Sequence, residues 1–205
     1  MSTLQIGAHM SIAGGLHRAF THSMAVNATA LQIFTRNQRQ WKIPPLGPED
    51  VEQFKAAWAT WGNYPVAAHD SYLINLANPE PDKADRAMQG FASELGRIET
   101  LGIPWLVTHP GSHLGQGVES GIRRYVANLD QAIEASGTSM AVVLLETTAG
   151  QGTNLGGCFE ELAAMIRASR YPERLGVCLD TCHVFAAGYD LRTKAGVAAM
   201  LEAFE

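Results

Sequence analysis

Six short apolar runs constrain this chain more than any other feature. They are LQIG (4–7), ALQIF (30–34), PVAAH (65–69), WLVTH (105–109), AVVLLE (141–146) and LGVCLD (175–180). Their near-continuous apolar character, without polar alternation, predicts strands of a parallel sheet covered on both faces. Longer amphipathic stretches rich in Ala, Leu, Met and charged residues lie between them. These predict helices near 14–26, 48–61, 80–101, 118–136, 157–170 and 194–204. Strand–helix units in this succession predict an α/β fold, either a barrel or a doubly wound sheet. No low-complexity segment or long linker interrupts the pattern, so 1–205 reads as a single domain.

Composition removes several function classes. With 46% hydrophobic and 17% charged residues the chain has too much to bury and too little charge to be disordered. No apolar run reaches the roughly 18 residues of a transmembrane helix, so no membrane partner is expected. The start, MSTLQIGAH, has no basic segment and no apolar core of a secretory signal. Three cysteines, Cys158, Cys178 and Cys182, cannot all pair and are read as reduced thiols of a cytoplasmic protein. The net charge of −5 is unevenly spread. Residues 1–48 hold Arg18, Arg36, Arg39 and Lys42 and no acid, a net of +4, against −9 for the remainder. An acidic protein can still grip DNA where its cations are local.

Chemically capable side chains recur at one place in the strand–helix unit. His9, His69, His109, Glu146 and Asp180 each fall at or just beyond the C-terminal end of a predicted strand, and His183 follows Asp180 by three residues. In a parallel barrel that end gathers the active site. Any one of them alone reads as a core histidine or a capping carboxylate, but in one ring they would converge. Imidazole and carboxylate suit Zn²⁺ or Mn²⁺ without a thiolate, and a carboxylate can bridge two ions. Paired ions are a recurring device of phosphodiester hydrolysis. The competing reading is a buried polar network without metal.

Other segments separate by chemistry. Cys178-x-x-x-Cys182-His183 lacks a second CxxC partner, so its thiols are expected to be small core residues. The run Gly150 to Gly156 lacks the Lys-Ser/Thr of a phosphate-binding P-loop and predicts a tight loop beside the site. Thr35-Arg36-Asn37-Gln38-Arg39-Gln40-Trp41-Lys42 carries three cations and no acid. Arg39, Gln38 and Asn37 are side-chain types that contact phosphates and groove edges. Tyr72 and Leu73, just past His69, are either apolar wedges for a base stack or the first core contacts of the next helix.

These motifs together resemble the endonuclease IV family (AP endonuclease family 2). The matching stretches are IGAH (6–9), TRNQRQW (35–41), HDSYLINL (69–76), HPGSH (109–113), ETTAGQGTNLG (146–156) and GVCLDTCHVFAAGYD (176–190). The resemblance implies a (β/α)₈ TIM-type barrel with three zinc ions. It also implies hydrolysis of the DNA backbone 5′ to an abasic site, leaving a 3′-hydroxyl, and removal of blocks from 3′ ends. Carried over by motif, His69 and His109 would ligate one zinc and Glu146, the catalytic carboxylate, would bridge it to a second. Asp180 would bind the second ion and His183 the third. Arg39, Gln38, Asn37, Tyr72 and Leu73 would contact double-stranded DNA, with one monomer per lesion.

Two departures accompany the resemblance. Thr147 stands where the family's commonest pattern has Asn. The chain reaches Glu205 inside a predicted helix, so about six βα units are expected, roughly the N-terminal three-quarters of the usual family length, with further ligands beyond. Such a chain alone is expected to be poorly soluble or self-associating, to hold fewer than three zinc ions and to be nearly inactive, with full activity needing the continuation. Two other readings accompany the repair nuclease: a metal-dependent sugar isomerase or epimerase on the same barrel, and a non-catalytic DNA-binding fragment. The first does not account for the cationic NQRQW loop.

Overall fold

The computed structural model describes residues 4–205. Six strands alternate with helices: β1 (Gly7–His9), β2 (Ala30–Phe34), β3 (Val66–His69), β4 (Trp105–Thr108), β5 (Val142–Glu146) and β6 (Leu175–Cys178). The helices are α1 (Arg18–Ala25), α2 (Pro48–Trp61), α3 (Pro81–Leu101), α4 (Val118–Ser136), α5 (Phe159–Ala168), α6 (Thr181–Ala186) and α7 (Lys194–Phe204). All strand pairs are parallel and their spatial order is the chain order, β1 to β6. A doubly wound sheet reverses direction around an early strand, whereas monotonic order is that of a barrel wall. The structure therefore selects the TIM-type barrel. Among the described residues β1 and β6 each pair on one side only.

Local sequence explains the helices. Pro81 opens α3 at a position where a missing N–H costs nothing, and Gly102, with φ of 82°, ends it in the left-handed region. Phe91, Leu95 and Ile98, spaced i, i+4, i+7 along α3, are fully buried against the sheet. Burial of side chains of this size stabilises by about 1.5–3 kcal/mol each. They join Phe20 and Phe54 of α1 and α2, and Leu106, Val143 and Leu145 of the strands, in one core.

Three differences from the sequence reading have physical causes. The first strand lies at Gly7–His9, not 4–7, and Leu4 and Ile6 are 81% and 65% exposed. Gly7 allows the close approach, since a Cβ there would collide with the Ala30 carbonyl. The first helix starts at Arg18, because Gly14 and Gly15 hold the preceding backbone out of helical geometry. Helix α6 was hidden in the apolar text that continues β6, and it is started by the Asp180 side chain accepting the His183 N–H at 2.8 Å.

Candidate metal centre and nucleic-acid face

Strand register delivers the candidate ligands to one rim. His69 is the last residue of β3, Glu146 ends β5, and His109 and Asp180 stand just past β4 and β6. Phe34 pairs with His69, and Glu146 with Cys178. The structure forms two groups that share Glu146: His69, His109 and Glu146, and Glu146, Asp180 and His183. Within each group the ligand atoms lie within 4.8 Å of one another.

The two oxygens of Glu146 face opposite sides. Oε2 lies 3.1 Å from His69 Nε2 and 3.5 Å from His109 Nε2, while Oε1 lies 3.4 Å from His183 Nδ1. This donor set, two imidazoles and a carboxylate on one side and two carboxylates with an imidazole on the other, fits divalent cations of the zinc and manganese class. It also fits a carboxylate shared between two ions, since Glu146 presents a different oxygen to each group. All five residues expected as ligands are thus brought together. His183 lies beside Glu146 and Asp180 through Nδ1, the nitrogen that also faces the Thr147 carbonyl at 2.8 Å.

Supporting contacts orient the ring. His69 Nδ1 donates to the Asp70 carbonyl at 2.8 Å, leaving Nε2 toward Glu146. Asp70 is buried and accepts from Thr108 Oγ1 at 2.9 Å; burial pushes its carboxyl up to about 8 against the opposing pull of His69. Burial works against a charged His69 ring, but the Glu146 hydrogen bond and the Asp70 charge outweigh it, so His69 is raised. His109 is lowered by burial, with the rings of His69 and His183 adding to the effect. Burial opposes ionisation of Asp180, yet the His183 N–H and ring hold its carboxyl below the usual range.

His9 and His113 divide differently. His9 packs on Phe34 with ring centroids 4.4 Å apart and is lowered by burial and by His69. His113 is structural, its Nδ1 accepting from Gly117 N at 3.0 Å. Cys182 is exposed and Cys178 half-buried, so the expectation that both are small core thiols is corrected. Cys178, whose thiol burial pushes up to about 11, comes nearest to it.

Sequence reasoning missed Asn75, Ser112 and Thr108, which stitch the loops together. Asn75 donates to Ser112 O and accepts from Ser112 N, both at 3.0 Å. Ser112 Oγ meets Thr153 Oγ1 at 2.6 Å, tying in the glycine-rich loop. The HDSYLINL and HPGSH texts held the signal, but pairing across 37 residues is invisible in one sequence. Gly111 makes the turn with φ of 81° and no room for a Cβ beside Asn75. Gly111→Ala is expected to destabilise by about 1–3 kcal/mol, read as a lower thermal midpoint; an unchanged midpoint would show that the loop yields freely.

The loops enclose a cavity of about 620 Å³ lined by Tyr72, Asn75, His109, Gln151, Asn154 and His183 among others. On its rim Tyr72 is 63% exposed, with its ring 6.1 Å from His109 in a stacked arrangement, and helix α3 begins only at Pro81. The alternative that Tyr72 opens a helix's core contacts is thereby removed. Leu73 is half-buried and lines a smaller cavity with Trp41 and Arg86. Arg39 and Asn37 are exposed, and Asn37 Oδ1 accepts the Arg39 N–H at 2.9 Å, so Asn37 shapes the loop. Gln38 is half-buried and its carbonyl accepts from Ser71 Oγ at 2.8 Å, joining the two loops. Arg36 is not a surface cation: it is buried against Glu94 of α3.

A monotonic parallel barrel wall with a histidine–carboxylate cluster at its C-terminal rim defines the xylose isomerase-like TIM barrel class, whose family profile matches residues 22–204. The chain is 46% identical over 200 residues to the probable endonuclease 4 of Trichlorobacter lovleyi, covering 98% of this chain and 71% of that one. It is 56% identical over 190 residues to that of Oleidesulfovibrio alaskensis, covering 93% and 65%. The endonuclease IV structure from Thermus thermophilus superimposes with a TM-score of 0.86 at 35% identity, over 98% of this chain and 71% of that one. A D-tagatose 3-epimerase-like protein matches at 0.73 with 16% identity, over 91% of this chain and 68% of that one, a likeness of fold alone. The chain belongs to the endonuclease IV family (AP endonuclease family 2), metal-dependent DNA-cleaving hydrolases. Among the described residues no helix is long and apolar enough to cross a membrane.

Proposed function

We propose that this protein is a zinc-dependent DNA-repair endonuclease. It hydrolyses the phosphodiester bond 5′ to an abasic site, leaves a 3′-hydroxyl, and removes blocking groups from 3′ ends. The observation that carries this reading is the convergence of four ligand-type side chains on Glu146, with an exposed Tyr72 beside His109 on the rim of the same cavity. His69, His109 and Glu146 would hold one zinc ion and Glu146 and Asp180 a second, while His183, whose Nδ1 is taken by the Thr147 carbonyl, would offer Nε2 to a third. Bound zinc supplies Lewis acidity, polarising phosphoryl oxygens and making water a nucleophile at neutral pH.

The chain's own residues do the remainder. Glu146 sets the spacing of the two ligand groups and supplies negative charge between them. Tyr72 and Leu73 stand where a displaced base step would pass, and Arg39 with Gln38 faces the backbone. Extruding a nucleotide that has lost its base costs less than flipping a paired one, which favours abasic sites. Three free cysteines suit the reducing cytoplasm.

The test is cleavage of a duplex oligonucleotide carrying one synthetic abasic site, with zinc supplied and product ends identified by polymerase extension. Extendable 3′ ends are expected from a family-length chain carrying these residues, and no incision by it at any zinc concentration would overturn the reading. Arg39→Ala and Tyr72→Ala are each expected to weaken abasic-DNA binding by about 1–3 kcal/mol, the scale of a stacking or inserted contact. Zinc per chain, by elemental analysis after dialysis, should stay the same. Loss of zinc in either variant would show that these loops belong to the metal centre and not to the DNA face.

A further inference from the structure

Thr147 follows Glu146 directly and is 1% exposed, at a point where two strand ends and a helix start meet. Its N–H donates to the Cys178 carbonyl at 3.0 Å, extending the β5–β6 ladder by one rung. Beyond that rung the ladder stops, and Asp180 is held by the threonine side chain instead. Thr147 Oγ1 accepts the Asp180 N–H at 2.9 Å and lies 3.4 Å from the Asp180 carbonyl, to which it can donate. The Thr147 carbonyl accepts Nδ1–H of His183 at 2.8 Å. With Nδ1 committed as a donor, a neutral His183 ring keeps its lone pair on Nε2. Asp180 in turn accepts the His183 N–H and so fixes the first turn of α6.

We propose that Thr147 is a positioning residue for one half of the metal centre: its hydroxyl fixes Asp180 and its carbonyl fixes the His183 tautomer. This rests on the metal reading above. The two arms separate cleanly, because the carbonyl survives any side-chain change while the hydroxyl does not. His69 takes its orientation from the Asp70 carbonyl, and both it and His109 come from the ends of β3 and β4, whereas Thr147 joins the ends of β5 and β6. The effect of losing the hydroxyl is therefore confined to the group containing Asp180. Valine has the shape of threonine without the acceptor, and serine keeps the acceptor without the methyl.

The experiment is a cobalt(II) titration of the full chain, followed by visible absorption, for the parent, Thr147→Val and Thr147→Ser. Thermal midpoints of the metal-free proteins are measured alongside. In Thr147→Val one class of cobalt site is expected to weaken about 10- to 100-fold, the scale for losing a hydrogen bond that orients a ligand. The other class should keep the parent affinity and spectrum, and Thr147→Ser should restore the weakened one. Parent-like affinity at every site in Thr147→Val overturns the proposal. So does equal weakening of all sites together with a lower metal-free midpoint, which is what a merely structural residue would give. A parent chain that takes up no cobalt overturns the metal reading itself, and this proposal with it; a parent that binds beside an unaffected valine variant overturns this proposal alone.

Discussion

Glu146→Gln is expected to lower the rate of abasic-site cleavage by about a thousand-fold or more, several kcal/mol of barrier, while abasic-DNA binding stays close to that of the parent. The glutamine amide carries no charge, and only one of its two end atoms accepts. It can serve the His69–His109 side or the Asp180–His183 side, but not both, where the carboxylate turns Oε2 to one and Oε1 to the other. The three imidazoles now facing Glu146 would also lose their nearest anion. Arg39 and Tyr72 stand on separate loops and are untouched, which is why affinity should persist. Single-turnover cleavage and a gel-shift titration measure the two quantities. A variant retaining more than about a tenth of the parent rate would rule out Glu146 as the shared ligand, since a loss below one factor of ten is under about 1.4 kcal/mol.

Glu94→Ala is expected to destabilise the fold by about 3–5 kcal/mol, because it strands a buried guanidinium. Glu94 is fully buried on α3, and it accepts from Arg36 Nε and, at 2.6 Å, from Thr35 Oγ1. Arg36 is 5% exposed, and apart from Glu94 its guanidinium reaches the Trp41 carbonyl at 3.5 Å. For a chain of this size the loss corresponds to a fall in thermal midpoint of roughly 6–20 °C. Replacing both partners by apolar residues, Arg36→Met with Glu94→Leu, should recover much of it, as removing a buried pair costs far less than breaking one. A loss below about 1 kcal/mol in Glu94→Ala would show that the pair is effectively solvated. The same anchor matters for the DNA face. Arg97, one turn further along α3, donates to the Thr35 carbonyl at 2.7 Å and the Pro44 carbonyl at 3.1 Å, so α3 grips both ends of the loop that carries Arg39.

What was legible in the sequence was whatever is encoded by local periodicity or by position within a repeated unit. The apolar runs became strands because their backbones can be satisfied only by a ladder once both faces are buried. Helices α2, α4 and α7 fall on the expected residues, since proline, glycine and the 3.6-residue period mark them locally. The recurrence of His, Glu and Asp at strand ends put His9, His69, His109, Glu146 and Asp180 on one rim, because in a parallel sheet every C-terminal end faces the same way, and the ligand set within that rim came from the family resemblance. Chemistry that depends on pairing was not legible. Arg36 read as a third surface cation, and only α3 packing across 58 residues turned it inward onto Glu94. Asn37 read as a base or phosphate contact, and the structure adds a turn in which its Oδ1 accepts the Arg39 N–H. The choice of barrel over doubly wound sheet lay in strand order, which no local pattern contains. The sequence by itself determined the elements, the parallel sheet and the rim on which the chemistry sits, since these follow from short-range burial and chain direction. Only the tertiary structure decided which oxygen of Glu146 faces which histidines, and that Thr147 holds Asp180, since those distances exist only once separate strands are brought side by side.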